Sequence, residues 1–429
     1  MKKYLSSLLV GIIAFFSLTE FGFAETTMSE EGQYIFNSLA FYIGGVLVAF
    51  MAAGFCMLES GLVTTKSVST IAAKNIGKFA IASIVFFLFG YNLAYVDQSG
   101  FIGSFSMWNE GSEIGTGYSD SSDWFFQTMF VCATVSIVSG AVAERIKIWP
   151  FFVFAVVMAG FIYPISMGWQ WGKGWLYEAG FSDFAGSTLV HSTGGAAALA
   201  GAILLGPRLG RFTKSGAPAP VKPFAASSIP LVTVGVFILW LGWFGFNGGS
   251  QLSMGTFDDA VAISKIFINT NLAACGGVLS AAIVTRLMVG RTDVIQMLNG
   301  AIGGLVAITA EPLMPSPLAS IIIGSVGGII VVFGTKLLLL FKIDDVVGAV
   351  PAHLFAGIWG TLAVPITNPD TSFGAQFLGV ISINVFVFAV AFILWKIMKN
   401  SMGIRLSKEA EIKGTDVSET GVIAYAIRD

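Results

Sequence analysis

The chain has 429 residues, of which 55% are hydrophobic and only 11% are charged, and its formal net charge is −2. Soluble domains usually carry about 25% charged residues, and the mean hydropathy here is +0.81. This composition excludes a soluble enzyme, a disordered chain and a nucleic-acid-binding protein. It predicts a polytopic membrane protein with room for roughly eleven or twelve spans of about 20 residues each.

The first 24 residues have the layout of a secretory signal peptide. Lys2 and Lys3 precede the apolar stretch 5–18, and small residues follow up to Ala24. Cleavage after Ala24 would place the new N-terminus outside the cell. An uncleaved first helix is the alternative.

Eleven apolar segments of spanning length follow the leader. They lie at 34–58, 76–96, 124–143, 148–167, 185–206, 228–247, 259–287, 294–311, 317–341, 346–366 and 373–398. The sequence therefore predicts an all-α polytopic membrane protein, with a domain of eleven transmembrane helices over residues 25–400. An odd number of spans puts the two ends of the mature chain on opposite sides of the membrane.

The loops between these segments alternate in charge. One set is basic and contains Lys66, Lys74, Lys78, Arg145, Lys147, Arg208, Arg211, Lys214, Lys222, Arg286, Arg291 and Lys342. The other set contains Asp97, Glu110, Glu113, Asp120, Asp123, Glu178, Asp183, Asp258, Asp259 and Asp370, with Lys173 as its one basic residue. Because basic loops stay cytoplasmic, we expect the N-terminus outside and the C-terminus in the cytoplasm. The polar residues 401–429 are then a cytoplasmic regulatory tail or a disordered end.

The chain has only two histidines, His191 and His353, and both lie inside apolar segments. Asp183 and Asp345 each precede one of them by eight residues, which is about 12 Å along a helix. Because segments five and ten enter the membrane from opposite sides, both imidazoles are expected near its midplane. Segments one to five and six to ten thus read as a 5+5 inverted repeat with one additional helix, an architecture typical of transporters.

An ionisable residue inside a membrane is a functional hypothesis by default, although each histidine could instead be a core residue that bridges two helices. Glycines lie one turn after each histidine, at Gly195 and Gly357, where they favour close helix packing. A metal site would need further ligands. The three cysteines are far apart in apolar segments, and we expect neither a disulfide nor a metal nor a cofactor.

Several motifs resemble those of the ammonium transporter (Amt/Mep/Rh) family. Residues 183–191 read DFAGSTLVH, 143–145 read AER, 242–250 read GWFGFNGGS, 357–362 read GIWGTL, and the tail has GTD at 414–416. The similarity covers nearly the whole mature chain. It implies one pore per subunit, a homotrimer in the inner membrane, and a PII-type signalling protein as partner at the cytoplasmic face.

The resemblance also implies roles for individual residues. Trp171, Phe130 and Ser250 match the outer substrate vestibule, Phe130 and Phe246 the gate, His191 and His353 the pore pair, and Asp183 the acidic residue behind the site. Trp171 favours the bacterial Amt branch over the Rh branch. Leu354 departs from the glycine found in many relatives, so a narrower inner pore is expected.

These residue types suit a pore that separates ammonium from K⁺ by removing a proton. An indole face attracts a cation by about 0.5–2 kcal/mol, whereas a bare cation at the bilayer centre costs at least about 2.5–3.5 kcal/mol. Neutral ammonia avoids most of that cost, and imidazole, with an unperturbed pKa of about 6.5, can relay the proton. Alternatively, Trp171 is a membrane-interface anchor. Asp183 caps a helix or contacts the substrate directly.

The prediction is therefore an ammonium transporter for nitrogen uptake, with ammonium or ammonia as substrate, methylammonium as a further candidate, and no enzymatic activity. Two alternatives stay open. The chain could be an ammonium sensor that signals through its tail, although no signalling domain is fused to it. It could also conduct another small neutral solute, which would gain nothing from Trp171 or from acidic outer loops.

Overall fold

A computed structural model describes residues 28–112, 114–218 and 224–425, and the predicted signal peptide 1–24 lies outside these residues. The described chain is a bundle of long helices, which we number in chain order. They are α1 Glu30–Leu62, α2 Val68–Tyr95, α3 Asp120–Ala141, α4 Ile148–Gly168, α5 Ser187–Leu205, α6 Ile229–Gly249, α7 Phe257–Val289, α8 Val294–Ile308, α9 Pro317–Leu340, α10 Val350–Thr367 and α11 Phe373–Ser401.

The predicted all-α fold is confirmed, and each of the eleven predicted segments coincides with one helix. Ten of the helices are long and apolar enough to cross a membrane. The eighth, α8, has only 15 residues, or about 22 Å, against a hydrocarbon thickness of about 30 Å. It packs against α7 and α9 inside the bundle.

Glycines allow the closest helix contacts. Between α7 and α9, a Cβ at Gly324 would lie 2.0 Å from the carbonyl oxygen of Ala273. Between α1 and α6, a Cβ at Gly235 would lie 2.6 Å from the backbone nitrogen of Leu58. Any side chain at these two positions would force the helices apart, so the packing of the bundle requires glycine there.

The assignment of Lys74 and Lys78 to a basic loop is wrong. Helix α2 begins at Val68, eight residues earlier than the predicted segment, and both lysines lie within it at 1% exposure. Lys78 Nζ lies 3.0 Å from a carboxylate oxygen of Glu59 on α1, and Lys74 Nζ donates to the carbonyl oxygen of Ser139. These partners on neighbouring helices stabilise two charges that a single segment could not bury.

The tail folds back onto the bundle as far as the structure describes it. Its short helix Lys408–Lys413 is followed by a turn in which Asp416 accepts a hydrogen bond from the backbone nitrogen of Thr70 at 2.8 Å. Glu419 accepts one from the nitrogen of Ile148 at 2.7 Å. The tail therefore covers the ends of α2 and α4, and we call this side of the bundle the tail face.

Candidate functional site

The two histidines meet in the centre of the bundle. Their Nδ1 atoms lie 3.2 Å apart and their ring centroids 5.2 Å apart, with His191 and His353 only 1% and 4% exposed. A neutral imidazole has one N–H and one lone pair, so a hydrogen bond between two Nδ1 atoms requires one ring to donate and the other to accept. The Nε2 atom of His191 has no hydrogen-bond partner among the described residues. The described residues contain no group of three or more His, Cys, Asp and Glu that could hold a metal ion.

Both histidine helices begin with the same local structure. Asp183 accepts four backbone N–H bonds of 2.8–3.0 Å, from residues 186 to 189, and Asp345 accepts bonds from Gly348 and Val350. The glycine three residues after each aspartate has a positive φ, +107° at Gly186 and +80° at Gly348. Such a backbone conformation strongly favours glycine.

Each histidine lies in a π-helical turn, Ser187–Ser192 in one helix and Val350–Phe355 in the other. Single π-helical turns inside helices often occur at functional sites. The chain enters α5 beside Trp171, whereas it enters α10 beside Asp344 on the tail face. The two histidines therefore reach the centre from opposite ends of the bundle.

The glycines that follow the histidines allow these two helices to cross closely. A Cβ at Gly195 would lie 2.6 Å from the backbone nitrogen of Leu354, and one at Gly357 would lie 2.3 Å from the carbonyl oxygen of Ser187. Next to the crossing, the hydroxyls of Thr188 and Thr361 hydrogen-bond at 2.7 Å. The short distance between the imidazoles follows from this crossing.

Aromatic rings connect the histidine pair to one end of the bundle. The Phe130 ring centroid is 5.9 Å from that of Trp171 and 4.1 Å from that of Phe246, and Phe246 is 5.2 Å from His191. Phe130 and Phe246 are almost completely buried. The two phenyl rings therefore close the route between Trp171 and the histidines in this conformation.

A cavity of about 480 Å³ lies on the Trp171 side of these phenyl rings. Its walls are aromatic and polar. They are formed by Tyr91, Tyr95, Tyr118, Asp123, Phe126, Gln127, Phe130, Trp171, Gly172, Lys173, Phe184, Ser250 and Leu252. We call it the outer cavity, after the predicted orientation. All three predicted vestibule residues line it.

Trp171 is held in place by the backbone of the segment just before α5. Its Nε1 atom donates to the carbonyl oxygen of Asp183 at 2.9 Å, while the Asp183 carboxylate is fully buried and occupied by backbone N–H groups. The Ser250 hydroxyl donates to the carbonyl oxygen of Phe246 at 2.8 Å, which leaves its own lone pairs to accept. Asp183 thus lies behind the cavity wall, and Trp171 and Ser250 form part of that wall.

On the other side of the histidines is a much smaller cavity of about 20 Å³. We call it the inner cavity. It is lined by Phe55, Leu58, Glu59, Ser136, Ile137, Gly140, Asn299, Ile302, Val347, Gly348, Ala349, Ala352 and His353. Leu354 is not among these residues, because it packs against Gly195. The narrowing of the inner pore by this side chain stays a prediction.

Glu59 contributes a buried charged cluster to the inner cavity. One carboxylate oxygen pairs with Lys78, and the other accepts from the Ser139 hydroxyl at 2.6 Å. Lys78 Nζ also lies 5.6 Å from the ring centroid of Phe55, whose ring is 6.3 Å from that of His353. The negative charge beside the inner cavity is therefore already compensated by a lysine.

The tail face carries a second buried ionic cluster. The guanidinium of Arg208 contacts Asp344 at 2.7 Å and also pairs with Glu144. Burial by itself raises the pKa of Asp344, but the hydrogen bonds and charge of Arg208, together with Arg145, hold this pKa well below its usual range. The Asp344 carboxylate is therefore ionised at neutral pH.

The sequence reasoning missed several residues of the outer cavity, namely Tyr91, Tyr95, Phe126, Gln127 and Asp123. The charge pattern places Asp123 in an acidic loop, yet it lies in the first turn of α3. Burial, together with the nearby carboxylate of Asp123, raises the pKa of Tyr118 to about 12. The four-residue spacing of Asp123 and Gln127, which places both on one helix face, was a signal that could have found them.

The fold and site together define a multi-pass membrane transport protein with a cavity on each side of a buried histidine pair. The model of the Ammonium Transporter Family matches residues 39–425, and the chain belongs to that family. This confirms the resemblance, and the family consists of transporters rather than enzymes.

Individual relatives agree with this assignment. The chain is 40% identical to a putative ammonium transporter of Synechocystis, over 92% of this chain and 91% of the relative. It is 37% identical to the ammonium transporter Amt2 of Archaeoglobus fulgidus, over 93% and 90%.

Solved structures agree as well. One titled Sensor Amt Protein matches with a TM-score of 0.86 and 32% identity, over 91% of this chain and all of the other. The crystal structure of Candida albicans Mep2 matches with a TM-score of 0.79 and 27% identity, over 89% of each chain.

Proposed function

We propose that this transporter recruits ammonium as a cation in the outer cavity, removes its proton, and passes ammonia along the histidine pair into the cytoplasm. The observation that carries the proposal is the unbroken order of Trp171, Phe130, Phe246, His191 and His353, each ring within 6 Å of the next. This order leads from a wide polar cavity to a narrow apolar one. It matches a substrate that enters charged and continues neutral.

The outer cavity supplies what a cation needs. The Trp171 indole offers its π face, and Ser250 offers hydroxyl lone pairs to the N–H groups of ammonium, which K⁺ lacks. Phe130 and Phe246 then exclude water from the next step, because their rings are in contact. A cation that left the cavity through these rings would lose its hydration, which favours deprotonation beforehand.

The histidine pair supplies a route for the proton. The hydrogen bond between the two Nδ1 atoms lets a proton pass from one ring to the other. The Nε2 atom of His191 has no hydrogen-bond partner among the described residues, and His353 lines the inner cavity. The inner cavity, at about 20 Å³, has room for one molecule the size of water or ammonia.

The remaining proposals follow the family resemblance and the loop charges. We infer a homotrimer in the inner membrane, with the N-terminus outside and the tail face in the cytoplasm. The tail would act as a regulatory segment, since it connects the ends of α2 and α4 through Asp416 and Glu419. A PII-type protein is the partner proposed for this face.

A sensory role is the second candidate, favoured by the likeness to the structure titled Sensor Amt Protein. A sensor would bind ammonium in the outer cavity without passing charge. Currents recorded from reconstituted liposomes after an ammonium pulse distinguish the two, because only transport with a relayed proton carries current.

The same assay tests the histidine pair with the double variant His191→Leu and His353→Leu. We expect it to assemble and to lose ammonium-driven current completely, because the proposed proton relay would lack both imidazoles. The matched control is the double variant Thr188→Val and Thr361→Val, which removes a buried polar contact beside the same helix crossing and should retain current. An assembled histidine variant that still carries ammonium current and excludes K⁺ would contradict the relay.

A further inference from the structure

The outer cavity contains a buried carboxylate that no positive side chain neutralises. Asp123 is 7% exposed and lines the cavity. It takes no part in any of the five ion pairs found in the described part of the chain. Lys173 is the one basic residue of the cavity wall, and it is solvent-exposed, where water and salt screen its charge.

Several other buried carboxylates of the described chain have stronger partners. Glu59 pairs with Lys78, Asp344 pairs with Arg208, and Asp183 accepts four backbone N–H bonds. Asp123 accepts only from the Tyr91 hydroxyl at 2.5 Å and from Gln127 Nε2 at 3.3 Å. A buried charge without a counter-ion is costly, so this carboxylate is suited to receive a cation.

The geometry leaves room for that cation. A carboxylate has about four lone-pair sites, and the two hydrogen bonds use two of them. The Tyr95 hydroxyl lines the same cavity and has no hydrogen-bond partner in the described residues. The cavity of about 480 Å³ far exceeds the roughly 30 Å³ of a water-sized species, so it can hold a partly hydrated ion or a small organic cation.

We propose that Asp123 is the counter-ion of the outer cavity, where its carboxylate binds ammonium and also small organic cations of the ammonium and guanidinium type. This inference rests on the proposed recruitment of ammonium as a cation. It adds a charged ligand to aromatic and hydroxyl groups that attract a cation only weakly. Because the cavity can hold an organic cation, such cations compete with ammonium for this carboxylate.

The test uses the full-length protein in liposomes and compares Asp123→Asn with Asp120→Asn. Asp120 lies three residues earlier on α3 and binds the Gly111 backbone nitrogen without lining the cavity, so its loss removes the same charge from the same helix turn. Asp123→Asn should raise the half-saturating ammonium concentration roughly ten- to a hundredfold, with a similar maximal current. Asp120→Asn should change it less than about twofold, and Asp123→Glu should restore most of the affinity.

A second measurement does not depend on transport. Guanidinium and methylammonium chloride are titrated into purified protein while tryptophan fluorescence is recorded, since Trp171 lines the same cavity. The original protein and Asp120→Asn should show saturable changes, and Asp123→Asn should lose them. Absence of current in the original protein with intact saturable binding would contradict the proposed transport but support Asp123. Equal affinities of the Asp123→Asn and Asp120→Asn variants in both assays would overturn the role of Asp123.

Discussion

The outer and inner cavities differ in volume by more than an order of magnitude, about 480 Å³ against about 20 Å³. The row of rings from Trp171 to His353 lies between them. The outer cavity offers hydroxyls, an amide and a carboxylate to a solute that still carries water. The inner cavity is largely apolar and fits one small molecule. On the proposed route, we therefore expect a solute to lose its hydration shell at Phe130 and Phe246, which lie between the two cavities.

The carboxylates of the two cavities also differ, because only one of them is paired with a positive side chain. Asp123 in the outer cavity has only neutral hydrogen-bond donors, whereas Glu59 in the inner cavity has Lys78 at 3.0 Å. A free carboxylate attracts a cation, while a paired one presents little net charge. With the proposed role of Asp123, we expect the protein to attract positive charge on one side of the histidines and not on the other.

The largest expected effect is on stability, and it tests this difference between the two carboxylates. Glu59→Ala leaves Lys78 buried without its counter-ion and should lower the free energy of unfolding by about 3–5 kcal/mol. Asp123→Ala should cost below about 1.5 kcal/mol, because water in the outer cavity can satisfy the Tyr91 hydroxyl. Thermal unfolding of both variants in detergent measures the difference.

The double variant Glu59→Leu and Lys78→Met is the control for this experiment. Replacing both charges by apolar groups of similar volume should recover most of the lost stability. Equal destabilisation by Glu59→Ala and Asp123→Ala would instead show that the two carboxylates have equivalent environments.

The next largest effect concerns the crossing of α5 and α10, which brings the two histidines together between the cavities. Gly357→Ala would place a methyl group 2.3 Å from the carbonyl oxygen of Ser187, and it should cost about 1–3 kcal/mol through overpacking. Because the crossing sets the distance between His191 and His353, ammonium current should fall as well. Thermal unfolding and the liposome current measure the two effects.

Gly374→Ala is the matched control, since a Cβ there meets only the Ser372 hydroxyl oxygen at 4.0 Å. It should stabilise the protein by about 0.4–1 kcal/mol and leave the current unchanged. If Gly357→Ala behaves like this control, the close approach of the two helices is not needed.

Much of the central site could be predicted from local sequence. Two histidines with an aspartate eight residues before and a glycine four residues after predicted matched helices, and the structure brings these helices together. The shared pattern is in fact longer, because Gly186 and Gly348 lie three residues after the aspartates and both have positive φ. This glycine spacing can be read directly from the sequence.

The errors arose where a distant partner decides the outcome. Lys74 and Lys78 looked like loop residues, because a charge inside a membrane helix is costly, but Glu59 and Ser139 on other helices compensate for them. Asp123 looked like a loop residue for the same reason. Its cavity is formed by several helices and loops, so no local pattern could reveal the cavity itself.

The smallest expected effect concerns the tail face, where a carboxylate is paired as Glu59 is, but lies outside the spanning helices. Arg208, with Arg145, holds the pKa of Asp344 below its usual value despite burial, whereas an unfolded aspartate has a pKa of about 3.9. The unfolded chain therefore binds this proton first as the pH falls. The stability that the pair contributes is fully present above about pH 5 and is lost as the pH drops below about 4 toward the folded pKa.

Thermal unfolding of the original protein and of Asp344→Asn from pH 7 to pH 3 tests this sign. The difference in stability between them should be constant down to about pH 5, because the carboxylate is ionised in both the folded and the unfolded state. Below about pH 4 it should shrink by up to about 1.4 kcal/mol per pH unit, the value for one proton. A difference that stays constant down to pH 3 would mean that Arg208 does not stabilise the ionised form of Asp344. The tail face would then depend on hydrogen bonds rather than on charge, unlike the Glu59 and Lys78 pair beside the inner cavity.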